Sequence, residues 1–388
     1  KQAVMLFADA AARTTALSGN LREGMVSYNL AEGRLEVYDG SDWAAIQAQG
    51  AGDPLVKADQ YSPVINVTGA GAAEIKAGTV ALVEGAEIAF GTATAITMPS
   101  LSAGTDYYVY VGTDGSAEAV AAMGSWPSPV AAPPADSALI GGFHYAPGGN
   151  ATGFDSGGDA TPAINEFSCW DLKWRPSCPD PRGMTCVNGS FWSDIYLTNR
   201  DPDTNGTSRN SEDIADGATG GTTTPIIPAA FGGNGTNRYS SYNWWNASEV
   251  MAAYGKRLPG FREFAALAWG VQEAQSRGND PVTTGLSTSN SGSSNADETF
   301  TSFWGVIQAS GVLYTWGDHF GGGAAGASWS ANTEGRGSSY QLSNAVRFGG
   351  DWLNGADSGS RCSRWSTSPT GSPSDLSSRG VCDHLRLA

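Results

Sequence analysis

The stretch from Arg347 to the C-terminus most limits what this chain can fold into. It reads Arg347-Phe348-Gly349-Gly350-Asp351-Trp352, then Ser360-Arg361-Cys362-Ser363-Arg364-Trp365, and closes with Arg379-Gly380-Val381-Cys382-Asp383-His384-Leu385. The intervening tracts, Leu353 to Ser360 and Ser366 to Ser378, are rich in Ser, Gly, Asp and Pro, a composition that alone predicts a flexible linker. A linker is seldom studded with Trp and Arg and then closed by an apolar strand. The segment therefore predicts surface loops pinned by buried anchors, which is how a rigid scaffold presents binding residues.

The remainder supplies the scaffold. A chain of 388 residues is long enough for two or three domains with real cores. Its 52 Gly and 13 Trp suggest many turns and aromatic anchors, a mostly β pattern and not a helical bundle. A formal net charge of -16 excludes a phosphate-backbone partner, which needs a basic stripe, so no nucleic acid is expected. No apolar run is long enough to span a membrane, and the first residues lack the apolar core of a signal peptide. The cysteines, Cys169, Cys178, Cys186, Cys362 and Cys382, are odd in number and widely spaced, which favours buried thiols over a disulfide framework. None of His144, His319 and His384 stands at ligand spacing with another His or a Cys pair, so neither metal nor cofactor is expected.

Residues 1–50 read as short strands, with a hairpin turn from Asn29 to Gly33. They are too few to bury a core alone. Either they extend the next domain or three copies supply one core together. Residues 51–163 repeat short β runs between Gly, Asp and Ser turns, the rhythm of a β-sandwich, with Tyr107-Tyr108-Val109-Tyr110 as a core strand and a Pro-rich loop from Ser125 to Pro134. His144 reads as a strand residue facing a neighbour. From 164 to 388 the composition turns to Trp, Arg and two helices. Asn246 with Glu249 predicts a capping box, Gly255 a helix end, and Phe261, Phe264, Ala265 and Ala268 a core stripe on the second helix. Phe303-Trp304-Gly305-Val306 and Val312 to Gly317 read as central strands.

The C-terminal residues quoted above, together with Ser358-Gly359-Ser360-Arg361, resemble the variable region of the major tropism determinant family of Bordetella phage. These are receptor-binding proteins diversified by a retroelement. The intervals match without a gap from Phe348 onward, and the likeness weakens only in the first hundred residues. Residues 1–50, with Tyr38-Asp39-Gly40 and Trp43, likewise resemble the trimerising repeats of phage tail fibres. Gly255-Lys256-Arg257-Leu258-Pro259 and the following helix resemble one branch of the C-type lectin fold. The resemblance implies a small trimerising β-prism-like segment, a β-sandwich, then an α+β C-type lectin domain whose variable region is about 347–388. It implies a homotrimer at a tail-fibre tip of the virion, assembled in host cytoplasm. Its partners would be a host cell-surface receptor, protein or glycan, and other tail proteins, with no membrane insertion.

Retroelement mutagenesis acts on Asn-type codons, which cannot yield Lys, Glu, Gln, Met or Trp. The positions matching the family's variable ones are Asp351, Leu353, Gly355, Asp357, Arg364, Ser366, Thr367, Gly371, Pro373, Asp375 and Leu376, and all lie in the permitted set. An extended backbone would place 351, 353, 355 and 357 on one exposed face. Trp352, Arg361 and Trp365 are the expected scaffold anchors.

An enzyme is not expected. The same branch includes the formylglycine-generating oxidases, which hold copper with paired cysteines in this segment. Here Asp357 stands five residues before Cys362, and Cys382 lies in the terminal strand, so the paired soft ligation of copper(I) is missing. The Glu-Pro-Asn, Gln-Pro-Asp and Trp-Asn-Asp signatures of calcium-dependent sugar binding are absent. Asp383 and His384 should point to opposite faces of a strand, with no paired nucleophile. A cellular or prophage-encoded display protein of the same fold is the alternative reading.

Overall fold

Alternation of apolar and polar side chains builds most of the chain into strands. The computed structural model describes residues 5–22, 24–31, 34–38, 40–46, 53–122, 133–217, 223–286, 295–324, 329–331, 338–340 and 343–386. Most of the Pro-rich loop expected from Ser125 lies outside them. The chain divides into two units, 1–54 and 55–388.

In the first unit, β1 (Met5–Phe7) runs parallel to β2 (Val26–Asn29), which pairs antiparallel with β3 (Arg34–Tyr38), itself antiparallel to β4 (Trp43–Ile46). The expected hairpin therefore forms. Helix α1 (Ala10–Leu17), capped by Asp9 accepting from the Ala12 N–H at 2.7 Å, was not expected. Its residues show no apolar stripe at helical spacing. What the helix buries is Arg13, whose guanidinium pairs with Glu36, donates to Ser27 Oγ at 3.1 Å and lies 4.2 Å from the Trp43 ring centre.

In the second unit come β5 (Leu55–Val56), β6 (Ile65–Gly69), β7 (Ala72–Ile75), β8 (Thr79–Val83), β9 (Ala86–Phe90), β10 (Thr94–Ala95), β11 (Thr105–Gly112), β12 (Ala117–Ala121), β13 (Ser137–Ala146), β14 (Ala163–Ile164) and β15 (Trp170–Asp171). Three sheets, β5-β8-β9, β10-β7-β6 and one centred on β12-β11-β13, share an apolar core that includes Leu55, Ile75, Val83, Val109 and Phe143. Strand β11 is buried on both faces. Tyr107, Val109 and Val111 enter this core, whereas Tyr108 and Tyr110 pack on the other side with Trp170, Trp174 and Trp192. The expected core strand is therefore shared by two apolar clusters. His144 on β13 is buried, with Nδ1 3.0 Å from Asp106 and Nε2 2.8 Å from the Tyr196 hydroxyl, a strand residue facing neighbours as expected.

The chain continues through β16 (Trp174–Pro176), β17 (Met184–Val187), β18 (Phe191–Asp194), α2 (Pro202–Asn205), α3 (Trp244–Ala253) and α4 (Phe261–Leu267). It ends with β19 (Tyr314–Ala324), β20 (Trp329–Ala331), β21 (Ser338–Tyr340), β22 (Ser343–Phe348), β23 (Ser363–Thr367), β24 (Leu376–Ser377) and β25 (Val381–Arg386). Two sheets matter most here, β16-β25-β18-β17 and β23-β22-β19-β24.

Several local expectations change. The cap of α3 is Asn243, whose side chain accepts from the Asn246 N–H at 3.0 Å. Asn246 is buried one turn inside and Glu249 accepts from Tyr239, because Trp244 and Trp245 belong to the helix. Gly255, at φ +68, ends α3 as expected. The capping carboxylate belongs instead to α4, where Glu263 accepts from the Gly260 N–H at 2.8 Å. Phe264 and Ala268 are buried, but Phe261 faces out and Ala265 is half-buried. Phe303 to Val306 is a turn and not a strand. There the Ser302 N–H donates to the Val306 carbonyl at 2.9 Å, the Val306 N–H returns to Ser302 Oγ at 3.1 Å, and Trp304 donates from its indole to the Ala266 carbonyl. Among the described residues no helix is long and apolar enough to cross a membrane.

Candidate binding face

The polar tract is held at both ends by strands with two neighbours each. Before it, β22 lies between β19 and β23; after it, β25 lies between β16 and β18. Arg379 adds a third fixture. Its guanidinium, fully buried, donates to the carbonyls of Asp194 (2.9 Å), Ile195 (2.7 Å), Ile307 (2.6 Å) and Gln308 (3.1 Å). The tract leaves β22 through Gly349 and Gly350, at φ +92 and +84. A Cβ on Gly350 would meet Ser358 Oγ at 2.3 Å, so both backbone angle and space demand glycine there.

Beyond this turn the backbone is not extended, which corrects the expected alternation. Asp351 is buried. Its N–H donates to Asn354 Oδ1 at 2.9 Å and its carboxylate accepts the Leu353 N–H at 2.7 Å. Residues 355–357 form a short 3-10 turn, with the Gly355 N–H donating to Ser276 Oγ at 3.0 Å. Leu353, 72% exposed, and Asp357 point outward, while Gly355 is half-buried. An Asx-type turn closed by the Asp351 side chain replaces the strand, because Asp and Asn compete with ladder pairing for backbone donors.

Strand β23 does alternate. Arg364 and Ser366 are exposed, while Ser363, Trp365 and Thr367 are half-buried. Trp365 lies against the backbone of β19, where a Cβ on Gly321 would stand 2.8 Å from its ring. Trp352 packs beside Leu197, Ile214 and Leu313. The two tryptophan anchors, expected to be buried, are thus half-buried, each covering an apolar cluster from its edge. Arg361 is exposed and is not an anchor; the glycine-rich turn before it is held instead by Glu273, which accepts from the Ser360 N–H at 3.0 Å.

Farther along, Gly371 and Pro373 are half-buried, and Ser372 ties the loop down, accepting from the Tyr242 N–H at 2.7 Å and donating to the Gly217 carbonyl at 2.8 Å. Leu376, named among the variable receptor-binding positions, is fully buried. It belongs to β24, parallel to β19, and fills the cluster of Tyr242, Met251 and Trp316. One edge of a sheet thus takes a side chain that the tract's composition could not assign.

The structure brings Asp351, Arg364 and Asp375 together around two residues that sequence reasoning missed, Arg347 and Tyr314. Arg347 donates to Asp375 at 3.0 Å, and its guanidinium lies 4.2 Å from the Tyr314 ring centre, with that of Arg364 at 6.0 Å. Arg347 and Arg364 are cross-strand partners on β22 and β23. Only the strand register reveals this; an Arg beginning the quoted motif was the available signal. Burial, then the neighbouring Asp351 carboxyl to which it is hydrogen-bonded, hold the Asp375 carboxyl above its usual range, against the pull of Arg347. The native state therefore binds that proton more readily than the unfolded chain. Its contribution to stability is present at low pH and is lost as pH rises from about 4 through the raised value. Melting curves across this window should flatten in Asp375→Asn; an unchanged slope would refute the assignment.

Cys362 is half-buried, its thiol pushed up to about 11 by burial and by Asp357. Asp383 is exposed and pairs with Arg257, while His384 turns the other way and accepts from the Trp192 indole N–H at 2.7 Å, so the two do point to opposite faces. Among the described residues no group of three or more His, Cys, Asp and Glu is placed to hold a metal ion.

A frame of doubly flanked strands, carrying outward side chains on a turn and on one face of an edge strand, defines a display scaffold of the binding-protein class. Comparison with known proteins agrees. Residues 63–171 match the family model described as the Mtd second domain. The tail fiber receptor-binding protein of Bordetella phage BPP-1 is 46% identical over 334 residues, covering 86% of this chain and 85% of that protein. The solved U1 variant of the major tropism determinant superposes with a TM-score of 0.84 at 41% identity, covering 99% of this chain and all of its own. The M1 variant gives 0.84 at 40% identity over the whole of both chains. The chain belongs to the major tropism determinant family of phage tail-fibre receptor-binding proteins.

Proposed function

We propose that this protein is the receptor-binding tip of a phage tail fibre, setting host range by adhering to a molecule on the bacterial surface. The observation that carries this reading is the outward set Leu353, Asp357, Arg364 and Ser366 on a tract pinned at both ends. We assign residues 164–388 to a C-type lectin fold of the formylglycine-generating-enzyme-like branch, serving adhesion and not oxidation. The diversified positions are those named from the sequence. Within them Asp351 and Leu376 shape the tract from inside, and Gly355, Thr367, Gly371, Pro373 and Asp375 form a half-buried border. Labelled protein should bind cells that the parent phage infects and compete with the phage for adsorption. Equal binding to infected and resistant strains would overturn the reading.

We further propose that residues 1–50 assemble the protein into a homotrimer that also contacts other tail proteins. Support comes from the few large apolar side chains of this segment and from Leu6, 68% exposed on a three-residue strand. Three tethered sites gain roughly 10²–10⁴ in avidity without any new contact. Light scattering should give three times the chain mass; a monomer at micromolar concentration would exclude this assembly.

A further inference from the structure

Two cysteines far apart in sequence face each other across the terminal strand. Strand β16 pairs antiparallel with β25 in the register Trp174↔Arg386, Arg175↔Leu385, Pro176↔His384. The ladder runs one step beyond β16, since the Ser177 N–H donates to the Asp383 carbonyl at 2.9 Å. Continued by one more step, that register sets Cys178 opposite Cys382. In a regular antiparallel ladder, the pair that follows a hydrogen-bonded one such as Ser177 and Asp383 is of the non-hydrogen-bonded kind, whose Cα atoms stand about 4.5 Å apart. That spacing falls inside the range a disulfide spans, roughly 4.4–6.8 Å. The two thiols lie within reach of each other, the Cys178 thiol also reaching the Asp180 carbonyl at 3.2 Å and Met184 Sδ at 3.3 Å, and both residues are buried in one apolar cluster.

No other pairing fits as well. Cys186 sits opposite Trp192, which sits opposite Cys382, so Cys186 and Cys382 are two strands apart, about 9–10 Å. Cys169 lies in the other apolar core and Cys362 against the cluster around Tyr314. The surroundings favour thiolate at one member of the facing pair. Lys256, paired with Asp194 at 2.5 Å, is close enough to both thiols to act on them. The bond from Cys178, with help from Lys256, lowers the Cys382 thiol to about 7, whereas burial pushes Cys169 up to about 12.

We propose that Cys178 and Cys382 form a disulfide when the protein meets a small-molecule disulfide such as oxidised glutathione. The bond staples the terminal strand, and with it the exit of the polar tract, to the segment that follows β16. The Cys382 thiolate attacks one sulfur of glutathione disulfide, forming a mixed disulfide and releasing one glutathione thiolate. That thiolate takes the proton of Cys178, whose sulfur then attacks the Cys382 sulfur and expels the second glutathione. Two protein thiols are oxidised by two electrons, and one glutathione disulfide is reduced to two thiols.

The test refolds the full chain from denaturant in glutathione buffers from reducing to oxidising, blocks remaining thiols by alkylation and maps the peptides by mass. The expected result is one linked peptide joining Cys178 to Cys382, three alkylated cysteines, and a thermal midpoint about 5–10 °C above that of the reduced protein. Cys178→Ser and Cys382→Ser should each abolish that difference, and Cys362→Ser should keep it. Five alkylated cysteines in folded protein from the most oxidising buffer, or a link using any other cysteine, would overturn the proposal. Because the peptide map is made on the unaltered chain, the result does not depend on the variants folding.

Discussion

Exchanging Leu353, Asp357, Arg364 and Ser366 for other residues of the diversifiable set should abolish or redirect adhesion to the host while leaving the fold intact. These side chains are exposed. Surface substitutions usually stay within about ±0.5 kcal/mol each, so the thermal midpoint should move little. Loss of contact should be near complete, since a few central residues carry most of the energy of an interface. Trp365→Ala is the contrasting change. Deleting a fully buried Trp costs about 3–5 kcal/mol, and a half-buried one should fall at or below the low end of that range. Melting and cell-binding measurements over both groups decide the matter. If the exposed positions control stability and binding survives their exchange, the face has been wrongly placed.

Arg379→Met should be the most damaging single change in the C-terminal half. The guanidinium supplies four hydrogen bonds to carbonyls from two separate segments, around Asp194 and around Ile307. Ile195 keeps a second donor, the Ile307 N–H at 2.8 Å, so not every carbonyl is orphaned. The Asp194 carbonyl likewise keeps Ser193 Oγ at 3.1 Å, so those of Ile307 and Gln308 are the two left without a donor, and at about 1–3 kcal/mol each they give a loss of about 2–6 kcal/mol. That is a large share of the 5–15 kcal/mol by which a domain is typically stable. Denaturant titration should show the midpoint falling steeply. Arg379→Lys should be intermediate, because an ammonium cannot span the two segments as the planar fork does. A midpoint unchanged in Arg379→Met would show that the carbonyls find other partners, and the pinning role would be lost.

Exposed and framework positions were separable in the sequence only where the backbone obeys a simple period. Strand β23 does, and Arg364 and Ser366 could be read outward from alternation alone. The hairpin of β2 and β3, the helix end at Gly255 and the strand of Tyr107 to Tyr110 were legible for the same reason. In each, a local pattern or a turn residue dictates the local conformation. Composition also marked the tract from Arg347 as surface loops pinned by anchors, because Trp and Arg punctuate its small polar residues.

What only the tertiary structure decided depends on contacts between distant residues. Asp351 turns inward because its carboxylate caps a turn, and Leu376 is buried because β24 joins β19. Arg347 and Tyr314 enter the face through register, and α1 buries no apolar stripe but one Arg that meets Glu36 on a strand. Cys178 meets Cys382 only once the last strand lies beside β16. A single sequence states which side chains are available and where the chain can turn. Which of them end in contact follows from strand pairing across long separations, and that pairing is set by the packing of the whole unit.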